Sequence, residues 1–470
     1  MTAPLLRPYQ ERLDADIRCA FRSGARRVLA VSPTGSGKTV LFSAITAGAV
    51  RKGTRALLLG HRVEIVDQIA GAIARHGIPH GLIAPGTSPT EDPIQIASIC
   101  TLARRLDHWR DQFDLVVCDE AHHAVSDSWK RVLAAFPTAR ILGTTATPER
   151  LDGRGLGDQF DHMALGPSVA ELIAAGFLSP FTIFAPPQAP DLRGVRTRGG
   201  DYATEDLARA MGGVVVSSAV QEYQRLCPGV PAVVFCATIA HSMAVAAAFN
   251  AAGVPAAHVD GETPAEERRA AIAALATSEL KVLCNVSLFG EGVDVPAIGA
   301  AILLRPTQSL ALYLQQVGRA LRPAPGKDKA IILDFAGNTA RHGLPDEPRD
   351  WSLNSVARKD RPKSPLPKTR RCWKCNAVNS RNDDLCSRCG NPLVVRVAPP
   401  ERRMVLQEAA PVRREPRDDA LAARLRAMTY RARLRWAGSD EGRLRAVARA
   451  CNYLPGWVGH RLDEIKVGAQ

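Results

Sequence analysis

The sequence predicts an α/β protein built as two parallel-sheet lobes, followed by a small cysteine-rich ribbon and a basic C-terminal tail that is mostly helical or partly disordered. Three observations carry this prediction. Short apolar runs alternate with helix-forming stretches from Arg27 to Pro148 and again from Pro231 to Arg322, which is how parallel strands joined by crossover helices read. A glycine-rich turn, Ser32-Pro33-Thr34-Gly35-Ser36-Gly37-Lys38-Thr39, lies where the first strand hands over to a helix. Two adjacent carboxylates, Asp119 and Glu120, close another apolar strand.

Composition sets the outer limits. The 470 residues suffice for about two to four domains, and a hydrophobic content of 46% with 23% charged residues is ordinary for a globular chain. No continuous apolar run approaches the ~20 residues of a membrane span, and no apolar leader opens the chain, so a cytoplasmic protein without membrane contact is expected. The eleven cysteines do not suggest disulfides: six are scattered singly, Cys451 stands alone and four form two close pairs. The net charge of +14 is localised, because residues 351–470 hold 26 Lys and Arg against 12 Asp and Glu while the first 350 residues balance. A basic end on a neutral body suggests a polyanionic partner, nucleic acid before membrane.

Taken in order, Arg7-Pro8-Tyr9-Gln10 opens a helical pattern that reaches Phe21. Gln10 offers a donor and an acceptor together, the pairing that suits an adenine edge, and its weight comes from lying shortly before the glycine-rich turn. In that turn Gly35 and Gly37 let the backbone curl until its N–H groups point at an anion, and the following helix adds partial positive charge. Lys38 would reach the β- and γ-phosphates of a nucleotide and the Thr39 hydroxyl would ligate Mg²⁺. Ser32 fills a first position that is usually Gly or Ala. An ordinary glycine turn would not require Gly-Lys-Thr at the helix start.

The run Arg55 to Gly60 reads as a buried strand before a helix that starts at His61, and Gln95 to Ile99 as another before Thr101. His61, Arg62 and Thr101 thus lie past strand ends, where open α/β sheets bind ligands; exposed polar loop residues are an equally good account of each. Asp114 to Asp119 is the strand that delivers the paired carboxylates. Asp119 suits a Mg²⁺ held through water and Glu120 suits a base for an attacking water, while His122 is placed to bridge towards another lobe. Arg140 to Pro148 repeats the design with hydroxyl residues at the strand end. Residues 149–200 read as a connector with a helix near 168–175. Strands then return at Pro231–Cys236, Ala256–Gly261 and Lys281–Ser287, without a second phosphate loop. Arg319 and Arg322, in Gln315-Gln316-Val317-Gly318-Arg319-Ala320-Leu321-Arg322, are three apart and would share a face of a helix.

Beyond a Pro- and Lys-rich linker, Cys372, Cys375, Cys386 and Cys389 are spaced C-x₂-C-x₁₀-C-x₂-C. Each pair can turn two thiolates towards one Zn²⁺, and four close a tetrahedral structural site. Asn376 and Gly390 follow the two pairs, where positive φ is easiest for those residue types. Trp373 among Arg370, Arg371, Lys374, Arg381 and Arg388 leaves two readings open, contact with nucleic acid or docking of a protein partner. The stretch 421–449 carries eight Arg and two acidic residues, for DNA phosphates or for solubility.

The order Pro-Thr-Gly-Ser-Gly-Lys-Thr, Asp119-Glu120-Ala121-His122, Thr145-Ala146-Thr147-Pro148 and Gln-x-x-Gly-Arg-x-x-Arg resembles the superfamily-two helicases of the DEAH type over residues 5–345. Ala330 to Asn338 with Arg341-His342-Gly343 and Trp351-Ser352-Leu353, followed by the cysteine element, is similar to bacterial DNA-repair helicases of the RadD type. The resemblance implies two RecA-like lobes with ATP·Mg²⁺ in their cleft. It implies that Arg319 and Arg322 reach the nucleotide across that cleft, that Gly292 and Asp294 contact the ribose and the hinge, and that Arg7, Gln10 and Gln315 belong to the nucleotide site. The expected activity is a nucleic-acid-stimulated ATPase acting as a DNA helicase or translocase in repair; a motor subunit of a restriction or nuclease assembly and an RNA helicase are the alternatives. The expected boundaries are 1–165 for the ATP-binding lobe, 166–350 for connector and second lobe, 351–371 for the linker, 372–392 for the ribbon and 393–470 for the tail.

Overall fold

The computed structural model describes residues 4–124, 126–148, 155–186, 190, 192–198, 200–210, 212–288, 298–354, 369–393, 419–451, 453 and 457–467. Met1–Val395 form one unit and Arg396–Gln470 a second.

The first lobe is a parallel sheet of seven strands in the order β3-β4-β2-β5-β6-β1-β7. Its strands are β1 (Arg27–Val31), β2 (Ala56–Gly60), β3 (Gly81–Ile83), β4 (Ile94–Ser98), β5 (Leu115–Asp119), β6 (Arg140–Thr145) and β7 (His162–Leu165). Because successive side chains point to opposite faces, Leu29 and Val31 enter one core with Trp129 and Phe136. Val28 and Ala30 enter the other, with Phe42 and Ile45. Helices cover both faces, which is why the inner strands β1, β2 and β5 read as near-continuous apolar runs instead of alternating. β1 lies between β6 and β7, and β5 beside β6, so the glycine-rich turn, the carboxylate pair and the Thr144-Thr145 end all leave the same edge of the sheet.

The second lobe holds an eight-stranded sheet in the order β12-β13-β11-β14-β15-β8-β17-β16. It comprises β8 (Phe181–Phe184), β11 (Ala232–Phe235), β12 (Ala256–Val259), β13 (Val282–Asn285), β14 (Ala300–Leu303), β15 (Ala330–Asp334), β16 (Thr369–Arg371) and β17 (Ala377–Ser380); β9 (Thr197–Arg198) and β10 (Asp201–Tyr202) form a separate hairpin. The cysteine ribbon, read from sequence as a module of its own behind a linker, is part of this sheet. β17 pairs antiparallel with β8, Ala377 opposite Phe184 and Val378 opposite Ile183, and Cys372 and Cys386 enter the same core as Phe184, Val234 and Leu333. The ribbon thereby covers an edge strand whose backbone groups would otherwise be unpaired.

Residues 351–354, expected as the start of an extended linker, also do something else. Trp351 and Leu353 leave the second lobe and pack, partly buried, against the first-lobe core that holds Leu29 and Phe160, and the Leu353 carbonyl accepts the Gly157 N–H at 2.9 Å. This segment is a strap from one lobe to the other. Of the rest of the expected linker, 355–368 lies outside the described residues and 369–371 is not linker but strand β16 of the second-lobe sheet.

In the second unit, helices Asp419–Ala427, Tyr430–Ala437, Glu441–Cys451 and Trp457–Val467 share a small core of Leu425, Ala437, Leu444 and Val447. Part of the arginine content expected for phosphates or solubility is internal to this bundle. Arg433 donates to the Leu425 carbonyl at 2.6 Å, the Arg426 carbonyl at 2.8 Å and the Tyr453 hydroxyl at 2.9 Å, and Arg443 lies over the Trp436 ring at 5.5 Å. Arg424, Arg426, Arg431 and Arg435 are exposed.

The strap makes a test. A Cβ on Gly155 would lie 2.0 Å from the Leu353 carbonyl oxygen, a backbone atom that cannot swing aside. Gly155→Ala is expected to lift the strap and cost about 1–3 kcal/mol of stability, read as a lower Tm and faster amide exchange at 351–354; unchanged exchange there would show that the strap does not hold the lobe.

Candidate nucleotide site between the lobes

The glycine-rich turn closes on itself through its own side chains. Ser32 Oγ donates to Ser36 Oγ at 2.7 Å, so the residue that departs from the usual Gly or Ala ties the two ends of the loop. Gly35 and Gly37 take φ of 86° and 78°, the left-handed region open to glycine. The helix that follows, residues Lys38–Val50, presents its first N–H groups to the loop. Pro8–Arg22 forms the opening helix, and two of its residues grip the loop from behind: Tyr9 Oη donates to the Ser36 carbonyl at 2.6 Å, and Gln10 Nε2 to the Ser36 and Gly37 carbonyls at 3.2 and 3.0 Å. Gln10 Oε1 accepts the Arg7 backbone N–H at 2.9 Å. Both Gln10 donors are engaged, which leaves one acceptor lone pair for a ligand amino group.

The sheet brings the second motif opposite. Asp119 Oδ1 accepts from Thr144 Oγ1 at 2.8 Å, and Glu120 sits at φ 50°, ψ 51°, a left-handed conformation that costs a non-glycine residue roughly 1–2 kcal/mol. Its carboxylate is turned so that Oε2 lies 3.4 Å from His122 Nδ1, and the same ring nitrogen is 3.2 Å from Thr145 Oγ1. His122 therefore joins the carboxylate loop to the end of β6. Its ring packs at a tilt against His123 at 4.2 Å, which in turn packs at a tilt against His61 at 4.4 Å.

The second lobe completes the cleft. Gln315 Nε2 reaches Glu120 Oε2 at 3.4 Å, and Gly318 lies so close to the loop that a Cβ there would be 2.6 Å from Thr34 Cβ. Arg319 is 5% exposed and lines, with Arg322, Lys38, Thr39, Asp119 and Glu120, a cavity of about 540 Å³, a size ordinary for a small-molecule site. The helix Leu310–Ala320 ends before Arg322, so the expected shared helix face holds only for Arg319; the chain turns past Ala320 and Arg322 reaches the cavity from that turn. Gly292 and Asp294 lie outside the described residues.

The two lobes that build this cleft also match known proteins. Residues 4–150 match the family model for the type III restriction enzyme res subunit, and residues 218–324 the helicase conserved C-terminal domain. A 51.5 kDa protein of a Lactococcus phage is 34% identical over 77% of this chain and 77% of its own length. IRC3 of Saccharomyces cerevisiae, assigned as an ATP-dependent helicase, is 30% identical over 72% of this chain but only 52% of the yeast protein. A fragment assigned as the HsdR subunit of a type I restriction enzyme from Vibrio vulnificus shares the fold, with a TM-score of 0.58 at 22% identity over 72% of this chain and 66% of the fragment. The chain belongs to the superfamily-two helicases. It is accordingly an enzyme that hydrolyses ATP.

The electrostatics of this helicase cleft follow from burial. Burial pushes the Asp119 carboxyl up to about 6 and the neighbouring Glu120 charge adds to it, against the pull of Lys38 and Thr144. Burial lowers the Lys38 ammonium, with Glu120 and then Asp119 opposing. A crowded pair of carboxylates of this kind suits a divalent cation, which would favour the ionised form.

Sequence reasoning missed Phe177 and Tyr9. The Arg7 guanidinium lies over the Phe177 ring at 4.7 Å and Tyr9 meets that ring edge-on at 5.1 Å, beside the same cavity. Phe177 stands in the connector, where no motif marks it. Of the other strand-end residues, Arg62 donates across the lobes to the Ser287 carbonyl at 3.0 Å. Thr101 is absorbed locally, its N–H capped by Ser98 Oγ at 3.2 Å.

The four cysteines come together as their spacing predicts, with their Sγ atoms all within 4.8 Å of one another and two pairs at 3.7 and 3.6 Å. Asn376 and Gly390 take the expected positive φ, 62° and 67°. Burial raises Cys386, but the N–H groups of Cys389 and Arg388 outweigh it and bring the thiol down to about 6. Burial together with the neighbouring thiols pushes Cys375 up to about 12. Tetrahedral Zn–S bonds of ~2.3 Å would place four sulfurs ~3.8 Å apart, close to the spacing of these two pairs.

The close approach of Gly318 can be tested directly. Gly318→Ala is expected to push the second lobe off Thr34, leaving nucleotide binding within about threefold while turnover falls at least about tenfold, because the arginines no longer reach the reacting end. Equal loss of binding and turnover would place Gly318 in the fold of the loop instead.

Proposed function

We propose that this helicase is an ATP-driven motor on DNA, a helicase or translocase serving repair or recombination. The observation that supports it most is the meeting of Gly318 and Arg319 of one lobe with the phosphate loop of the other, because hydrolysis at such a seam changes how the lobes hold each other. The Gly35–Gly37 backbone and Lys38 cradle the phosphates, with Pro33, Thr34 and Ser36 shaping the loop and Arg7, Gln10 and Phe177 beside the base. Thr39 and Asp119 would hold Mg²⁺, which supplies charge neutralisation on the phosphates. Glu120 orients the attacking water and takes its proton, steadied by His122 and Gln315. Arg319 and Arg322 stabilise the charge that develops on the γ-phosphate, a contribution of order 10³–10⁵ in related systems.

The likeness of the first lobe to a restriction-enzyme subunit favours DNA over RNA, and it supports a second reading as the motor of a restriction assembly. The ribbon binds one structural Zn²⁺. The basic second unit adds phosphate contacts that keep the motor attached between steps.

ATPase assays with single-stranded DNA, duplex, forked DNA and RNA test the motor. Stimulation by DNA well above RNA is expected, and strand cleavage in the same reactions would move the reading to a nuclease assembly. Glu120→Gln is expected to keep nucleotide binding and lose turnover at least about a hundredfold, whereas Lys38→Ala weakens binding itself; turnover of Glu120→Gln within threefold of wild type would remove the base assignment. A chain ending at Val395 should bind DNA more weakly, and the slope of log K against log salt should be shallower by ~0.7–0.9 for each phosphate that the shortened chain leaves unneutralised.

Metal analysis of the full chain should return about one zinc. Replacing Cys386 and Cys389 by Ser should remove the metal and speed amide exchange at Val378, where the ribbon joins β8. A metal-free protein with Val378 still protected would show that thiol packing alone holds the ribbon.

A further inference from the structure

We infer that the ribbon carries a stacking platform for unpaired bases, with Trp373 as its face, and that this platform moves with the second lobe. The inference rests on the reading of the chain as a nucleic-acid motor. Of the six tryptophans, Trp109 and Trp129 are buried and Trp351, Trp436 and Trp457 are partly buried, whereas Trp373 is 66% exposed. Its neighbours Cys372 and Cys375 belong to the thiol cluster, which gains nothing from an indole in water. A large apolar ring held in solvent adds nothing to stability through burial, so the fold does not account for it.

The surroundings of that ring favour nucleic acid over a protein. Residues 369–393 hold five Lys and Arg against two Asp, and Arg371 and Lys374, on either side of Trp373, are exposed. Asp383, one of the two acids, is turned inward to accept the Ser380 N–H at 2.9 Å. An aromatic face with cations beside it is the combination that binds single strands without reading sequence: the base stacks and the phosphates meet the charges. A duplex keeps its bases stacked on each other and offers the indole no face.

The platform is fixed to the motor. Beyond the β17–β8 pairing, the Arg388 guanidinium lies over the Phe184 ring at 4.9 Å and donates to the Cys375 carbonyl at 3.3 Å, so Arg388 binds the first knuckle to the second-lobe sheet. A base stacked on Trp373 would follow the second lobe as the cleft opens and closes. The single strand would thus be held at the outer edge of that lobe, separate from the cleft between the lobes.

Trp373→Ala and Trp373→Phe in the full zinc-loaded chain test this, with oligo-dT and a blunt duplex as probes. Trp373→Ala is expected to weaken oligo-dT binding about tenfold, the worth of one stacked base, and to raise the oligo-dT concentration for half-maximal ATPase. Trp373→Phe should restore most of that affinity, and duplex binding should stay within twofold. Zinc content equal to wild type shows that the ribbon is folded in both variants. Oligo-dT affinity of Trp373→Ala within twofold of wild type, or an equal loss on duplex, would overturn the platform. A wild-type chain whose ATPase no nucleic acid stimulates would instead overturn the motor reading on which it rests.

Discussion

The structure depends on four charges held together in a buried cleft. Lys38 comes from a helix start, Asp119 from a strand end, Glu120 from the turn after it and Arg319 from a helix of the second lobe, and such a buried set is tolerable because both signs of charge are present. The shifts show the tension: burial works against both the Lys38 ammonium and the Asp119 carboxylate, and each is held by the other's presence. Separating the lobes takes Arg319 away from the three charges of the first lobe and opens the cleft to water. The position of the second lobe and the ionisation of the first are therefore one property. A nucleotide, which carries its own negative charge, changes the balance wherever it enters.

Around this centre the fold accepts local costs. Glu120 is held in a left-handed conformation at the end of β5, and such strain persists where the surroundings overdetermine it. Here the Asp119–Thr144 bond on one side and the His122–Thr145 contact on the other leave the loop no alternative path. The row of tilted histidine rings extends the same constraint outward, from His122 through His123 to His61. Beside His61, Arg62 bonds to Ser287 and Glu64 pairs with Arg268 at 2.7 Å. A contiguous set of interactions thus runs from the carboxylate loop to the second lobe by a route that avoids the nucleotide cavity.

Two chain segments that read as connections turn out to be structural parts. The strap at 351–354 gives the first lobe a piece of chain that belongs in sequence to the second, and the ribbon gives the second lobe its last two strands. Both follow from edge and core requirements. Trp351 and Leu353 bury apolar surface that a solvated linker would leave in water, and β8 as an edge strand needs a partner for its backbone.

What the residues determined alone was local and chemical. A lysine after two glycines at a helix start, adjacent carboxylates at a strand end and four cysteines at ribbon spacing are legible because each motif is a short stretch whose backbone geometry and side-chain chemistry are set by near neighbours. Strand and helix alternation revealed the two lobes for the same reason. The tertiary structure decided what depends on distant segments: that Phe177 of the connector lies by the cavity, that Gly318 must be a glycine because Thr34 occupies the space of a Cβ, that Arg322 acts from a turn, and that the ribbon is a piece of the second sheet. Such meetings join residues tens to hundreds of positions apart, and no local periodicity records them, because they are selected by the shape left open when the two lobes pack.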